Sequence, residues 1–127
     1  MSDWIFVMAG NKNEFLERVK KETWSIYSRT TNRNRIRKGD RVLFYLAGPH
    51  RQKIIASSIL NSELKKEKED FIVSLAEIEI WKKQVPIQSL IDLLEFIKNK
   101  TKWGVHMQGG IVSISKKDYV TITAEAK

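Results

Sequence analysis

Residues 23–48, TWSIYSRTTNRNRIRKGDRVLFYLAG, pass from aromatic to basic to apolar character within one short stretch. Trp24 and Tyr27 stand three apart at its start. From Arg29 to Arg41 there follow six basic residues (Arg29, Arg33, Arg35, Arg37, Lys38, Arg41) against a single acid, Asp40. Lys38-Gly39-Asp40 is a turn signal that feeds a strand from Arg41 to Leu46. In that strand Val42, Phe44 and Leu46 share one face while Leu43 and Tyr45 share the other, because side chains alternate along an extended chain. Aromatic faces beside concentrated positive charge are what a protein needs to hold a base together with its phosphates.

Working outward, Trp4 to Met8 is an apolar run without polar alternation, which predicts a strand buried on both faces. Asn11 or Asn13 can cap a helix over residues 12–20. Phe15, Leu16 and Val19 give that helix an apolar stripe, with Arg18, Lys20 and Lys21 opposite. Trp24 follows the helix and is expected near the C-terminal end of the first strand, in a partly open setting between polar Thr23 and Ser25. Ile54 to Leu60 reads as a strand, and residues 65–70 as a solvated hairpin tip or loose loop. Phe71 to Trp81 reads as one long strand with an irregularity at Ala76-Glu77. Pro86 suits the first turn of a helix, and Leu90, Ile91, Leu94, Phe96 and Ile97 carry helical spacing to about Lys100. Residues 103–110 read as a loop. Ile111–Ile114 and Tyr119–Thr123 read as short closing strands around a turn or single helical turn at residues 115–118.

Composition sets the limits. The chain has 127 residues, enough for one domain with a real core. It has no cysteine, which excludes disulfides, thiol catalysis and thiolate metal sites. No apolar run reaches the roughly 18 residues of a membrane span, and MSDWIF lacks the features of a secretory signal; a cytoplasmic protein is expected. The formal net charge is +8, with 23 Lys and Arg against 15 Asp and Glu. A balance of this size favours polyanionic partners, nucleic acid before anionic membrane. Neither predicted helix sets a wide apolar face beside a basic one, which disfavours the membrane.

Hydroxyls, amides and guanidinium forks donate to phosphate oxygens, so Arg29, Arg33, Asn34, Arg35, Arg37 and Lys38 are the candidate phosphate contacts. The plainer reading is a solvated charge run. Trp4 and Trp81 sit in apolar strands and are expected in the core. Tyr27 and Tyr45 are ordinarily core-edge residues. His50 and His106 stand alone in loops and are expected to be solvated. The phosphate loop, zinc-helix and nucleophile-elbow motifs are all absent. Glu77 and Glu79 could share a strand face, but exposed strand charges are far commoner than acid–base pairs. The expectation is a binding protein without cofactor, not an enzyme. The alternative class is a protein-interaction or small-ligand module.

The succession of strand, helix, several strands, helix and strands predicts an α+β fold, a small bent mixed sheet with two flanking helices. Trp4-Ile-Phe-Val, Trp24, Asn34, Lys38-Gly39-Asp40 into Val42-Leu-Phe-Tyr45, Val85-Pro-Ile, and the closing Ile114-Ser115, Asp118-Tyr119 and Ile122 resemble, in order and spacing, an EVE domain. EVE domains belong to the PUA-like group related to YTH domains. The resemblance spans nearly the whole chain. It implies a compact β-barrel-like fold that holds a flipped, often modified, base in an aromatic pocket. Stacking a base gains roughly 1–3 kcal/mol and extruding it from a duplex costs a few kcal/mol, so single-stranded RNA or DNA, or a weakened pair, is the expected target. Trp24-Ser25-Ile26-Tyr27-Ser28 resembles the YTH stretch whose tryptophan forms one cage wall. By the same analogy Gly10 and Asn11 lie across the pocket mouth. YTH-type cages take another tryptophan from the loop after the middle strands; here residues 61–70 contain no aromatic, and Trp103, Tyr27 or Tyr45 are the substitutes.

Overall fold

A computed structural model describes residues 1–49 and 51–127; the reading of His50 falls outside the described residues. Among the described residues, seven strands, β1 (Asp3–Ala9), β2 (Thr23–Ile26), β3 (Arg41–Ala47), β4 (Lys53–Leu60), β5 (Lys65–Glu67), β6 (Asp70–Pro86) and β7 (Ile111–Ile114), accompany two α-helices, α1 (Lys12–Arg18) and α2 (Lys116–Glu125). The sheet runs β2-β6-β4-β3-β1-β7, with β5 paired to β6. β1 and β3 are parallel and the other pairs antiparallel.

The long β6 curls this sheet into a half-barrel. Its first residues pair with β2 and β5, and from Leu75 onward it pairs with β4. The register shifts opposite Ser57–Ile59, and Glu77 takes a φ of 50°. This is the irregularity expected at Ala76-Glu77, and an extra residue there bends a strand and raises its twist. Glu79 stands opposite Ser57, whereas Glu77 lies within the bulge.

Both faces of the central strands are covered. Trp4, Phe6 and Met8 of β1 and Val42, Phe44 and Leu46 of β3 fill the inside of the curl with Phe15, Trp24 and Val73. Ile5, Leu43 and Tyr45 point to the outer face, beneath residues 87–107 and α2. The two-residue alternation thus feeds two cores from the same strands.

The segment after Pro86 departs from the expected helix. Only Ile87–Leu90 form a short 3₁₀ turn. Beyond it, side chains from elsewhere satisfy the backbone: the buried Asp118 carboxylate accepts from the N–H groups of Glu95 and Phe96 at 2.8 and 3.0 Å. Lys100 Nζ donates to the carbonyls of Ile91 and Leu94. Leu90, Leu94 and Ile97 are still buried, so helical spacing survives without the helix. Residues 103–107 form a further 3₁₀ turn where a loop was expected.

The strand expected at Tyr119–Thr123 is instead the middle of α2. Ser115 caps that helix, its hydroxyl accepting from Asp118 N–H at 3.0 Å. Asp118 and Ile122 are buried and Tyr119, Thr123 and Ala126 half-buried, a helical stripe rather than an alternating one. Thr121 and Thr123 return their hydroxyls to the carbonyls of Lys117 and Tyr119, a bond that makes threonine tolerable inside a helix. Arg41, paired twice with Asp3 at 2.6 and 2.9 Å, places its guanidinium 3.8 Å from the Tyr119 ring centroid and ties α2 to the sheet. Residues 65–67 make a short exposed pairing with β6, a hairpin tip as expected.

The loop between β2 and β3 is anchored by Asp40, which is 3% exposed. One carboxylate oxygen accepts from Trp4 Nε1 at 2.8 Å and Arg37 N at 2.9 Å, and the other from Ser2 N at 2.9 Å. Removing the carboxylate strands a buried indole N–H. Asp40→Ala is expected to lower stability by roughly 2–4 kcal/mol, measured by chemical denaturation. A loss below about 1 kcal/mol would mean that water replaces the carboxylate without cost.

Candidate functional site

The half-barrel does not close. β2 pairs with β6 alone, and β7 covers β1 only from Asp3 to Phe6. Between β2 and the uncovered end of β1 lies a cavity of about 220 Å³. Met8 and Ala9 of β1, Trp24 to Tyr27 of β2, Arg18, Thr30 and Gly110 are among its walls. The volume exceeds the ~150 Å³ that accommodates a benzene ring and falls short of the roughly 300–1,000 Å³ of drug-sized sites. One heterocycle is the scale of ligand it suits.

Trp24 is 3% exposed, not partly open as its polar neighbours suggested. Strand alternation explains the difference: Trp24 and Ile26 point inward while Ser25 points out. Its ring lies 4.9 Å from Phe44, 6.0 Å from Phe15 and 6.1 Å from Phe6, centroid to centroid. The Arg18 guanidinium lies over the same indole, 3.7 Å from the ring centroid. Arg18 comes from the last turn of α1 and donates from Nη2 to the Ser25 carbonyl at 2.7 Å. Burial pulls the Arg18 guanidinium below its ordinary pKa, partly opposed by the Tyr27 phenol. An arginine stays charged through such a shift, and a cation stacked on an indole is worth about 0.5–2 kcal/mol. Tyr27, by contrast, is 68% exposed and stands at the cavity's edge.

Beside this cavity lies a shallower hollow of about 360 Å³, lined by Ser28, Arg29, Thr30, Asn32, Arg33, Asn34 and Arg35. Thr30 is a wall of both. The loop braces itself. Arg33 Nε donates to the Ser28 carbonyl and Nη1 to Asn34 Oδ1, each at 2.6 Å, and its guanidinium lies 4.6 Å from the Phe71 ring. Arg35 Nη1 donates to Asn32 Oδ1 at 3.0 Å. A guanidinium has five N–H donors, so Arg33 and Arg35 keep donors free for a ligand. Asn32 Nδ2 donates to the Ile111 carbonyl at 2.9 Å, which ties the loop to β7. Gly109 and Gly110, with φ of 92° and 83°, run against Thr31 and Thr30 so closely that a Cβ on either would meet a threonine side chain at 3.0 Å.

The structure gathers the sequence-predicted residues only in part. Trp24, Ser25, Ile26 and Tyr27 line the cavity, and Ser28, Arg29, Arg33, Asn34 and Arg35 line the hollow. Arg37 and Lys38 lie outside it: Arg37 donates to the carbonyls of Asn34 and Ile36, and the Lys38 N–H donates to Glu63. Asn11 is occupied in a capping box with Glu14 at the start of α1, and neither it nor Gly10 lines the cavity. Tyr45 and Trp103 belong to the outer core, across the sheet from Trp24. Tyr45 is 2% exposed, and burial pushes its phenol up to about 12. Arg18 is the residue that sequence reading missed, since it reads as one of several cations on the polar side of α1. No sequence signal separates it from Lys20 and Lys21, which stand nearer to Trp24. On the far side of the sheet, a groove of about 550 Å³ between α2 and β6 is lined by Ser57, Glu79, Trp81 and Tyr119. It lies away from the basic loop.

The fold is a curled sheet with an open seam, and the seam holds a cavity beside an arginine-rich loop. The chain belongs to the EVE domain family, whose sequence model matches residues 2–125. No curated protein matches it at the level of sequence. Among solved structures it is similar to the protein Atu2648 from Agrobacterium tumefaciens, with a TM-score of 0.70 and 11% identity, covering 99% of this chain and 93% of that one. Human THYN1, solved in complex with DNA containing 5-methylcytosine, gives a TM-score of 0.70 and 12% identity, covering 100% of this chain and 98% of that one. The YTH domain-containing protein mmi1, solved with RNA, gives 0.63 and 9%, covering 98% of this chain and 82% of that one.

The burial pattern separates two substitutions that sequence alone would treat alike. Trp24→Ala is expected to cost about 3–5 kcal/mol through the cavity it opens, and Tyr27→Ala under about 0.5 kcal/mol, both measured by denaturant unfolding. Equal losses would contradict the burial of one and the exposure of the other. Tyr45 supplies a pH test. A phenol whose folded pKa lies above the ordinary 10 contributes stability that is whole below pH 10 and lost as pH rises towards 12. Tyr45→Phe should therefore flatten the alkaline fall in stability; an unchanged fall would assign it to other groups.

Proposed function

We propose that this EVE domain binds single-stranded nucleic acid, holding one unpaired base, plain or modified, in the seam cavity while neighbouring phosphates rest on residues 28–35. The observation that carries the reading is adjacency: Thr30 walls both a cavity of one-heterocycle size and a hollow edged by Arg29, Arg33 and Arg35. The formal charge of +8 supports a polyanionic partner. The shared fold of THYN1 with methylcytosine DNA and of mmi1 with RNA supports it from outside the chain.

The energetics favour a single strand. Stacking a base gains roughly 1–3 kcal/mol, and extruding one from a duplex costs a few kcal/mol. One stacking contact therefore about breaks even against a paired target. Trp24 serves here as the buried floor of the site, and Tyr27 as the exposed aromatic that meets the ligand. The role is one of recognition rather than catalysis.

Fluorescence anisotropy with short RNA and DNA oligomers at increasing salt tests the reading. Affinity should fall linearly on a log–log scale. Arg33→Ala with Arg35→Ala should reduce the slope by about 1.4, two single-strand phosphate contacts. Tyr27→Ala should weaken binding by about 1 kcal/mol or more with the slope unaltered. If the wild-type chain binds no oligomer even at low salt, a small-ligand or protein-interaction role takes the place of this one.

A further inference from the structure

In an aromatic cage the indole meets the base directly, yet here the Trp24 face is already covered by the Arg18 guanidinium, 3.7 Å from the ring centroid. We infer that Arg18 is itself the platform on which the base stacks, with Trp24 as its backing rather than as the wall. The inference rests on reading the seam cavity as a base site, and it names the group within that site that meets the ligand.

Three observations carry it. Trp24 is 3% exposed, and Phe6, Phe15 and Phe44 pack around it, so little bare indole surface is on offer. Arg18 is anchored as well as stacked, through Nη2 to the Ser25 carbonyl at 2.7 Å. A base that pushed it aside would gain one stacking contact and forfeit both a stacking contact and a charge-assisted hydrogen bond. Finally, Arg18 is half-buried and lines the cavity together with Tyr27. Guanidinium planes stack on bases as aromatic rings do. The base then lies between Arg18 and the edge formed by Tyr27.

The substitution of a cation for an aromatic wall has a chemical signature. An aromatic cage attracts positively charged ligands through its ring faces. A guanidinium platform repels them. The site therefore takes neutral bases, and discriminates against a base that carries a fixed positive charge, such as a ring-methylated purinium.

The test measures oligomer affinity for the wild type, Arg18→Lys and Arg18→Ala, at a temperature where circular dichroism shows all three folded. Arg18→Lys retains the charge and the aliphatic stem over Trp24 but loses the plane. It should bind about tenfold more weakly with the salt slope unchanged. Arg18→Ala should lose at least as much on a base-bearing oligomer and far less on an abasic backbone of the same length. An oligomer bearing N7-methylguanine should bind the wild type more weakly than its guanine counterpart. Tighter binding by Arg18→Ala would identify Arg18 as a plug that the base displaces and would overturn the inference. Wild-type affinity in Arg18→Lys would reduce Arg18 to a point charge, with the same consequence. Binding that ignores Arg18 altogether sinks the inference alone, whereas a wild type that binds no oligomer removes the site reading and the inference together.

Discussion

Asp40 ends the basic loop inside the protein, where its carboxylate takes up Trp4 Nε1, Arg37 N and Ser2 N. Its own backbone takes part too, since Leu60 N–H donates to the Asp40 carbonyl at 2.9 Å. Four pieces of chain thus meet at one residue: the N-terminal strand, the loop, β3 and the end of β4. A buried carboxylate is tolerable only when its oxygens are fully engaged, and this one is engaged by groups that the fold must bring together. With so many cations concentrated in residues 29–41, an unanchored loop would separate by self-repulsion. The anchored loop instead presents arginines in fixed positions, and the geometry of the candidate site follows from that.

The parallel pairing of β1 with β3 lets a single pair of strands separate two kinds of work. Inward side chains build an aromatic cluster under the seam, and outward ones carry α2 and the segment after Pro86. Among the described residues, α2 and residues 87–107 supply none of the cavity walls, but they allow the central strands to be apolar throughout. The seam itself exists because β7 stops short of the end of β1. Gly110 bridges that gap, its carbonyl accepting from Val7 N–H at 2.8 Å while its missing side chain leaves room for Thr30.

How much of this was legible in the sequence depends on the range of the interactions involved. The unbroken apolar run of β1, the alternation in β3, the long bulged β6 and the basic loop are written in neighbouring residues, and so were readable. The EVE resemblance likewise lay in the order of short motifs. Tyr119–Thr123 misled because β-branched residues favour strands in isolation, whereas the Ser115 cap and the burial of Ile122 against the outer core decide for a helix. Residues 91–100 misled in the opposite sense: their spacing is helical, but Asp118 and Lys100 take over the backbone groups that a helix would pair. Trp24 looked open because its neighbours are polar, which in a strand says only that they face the other way. Arg18 could not be singled out from Lys20 and Lys21 without knowing that α1 packs beside β2.

An unclosed sheet leaves a strand border unprotected, and β2 is such a border. Unsatisfied backbone at a sheet's rim is a template for a strand from another molecule. Here the rim is only four residues long, and the Ser25 carbonyl is already taken by a cation from the preceding helix. Guanidinium groups on a rim also penalise the approach of a second copy bearing the same charge. The arrangement that leaves the seam open therefore carries its own guard against edge-to-edge pairing, and the arginine that shields the rim is the one that covers Trp24.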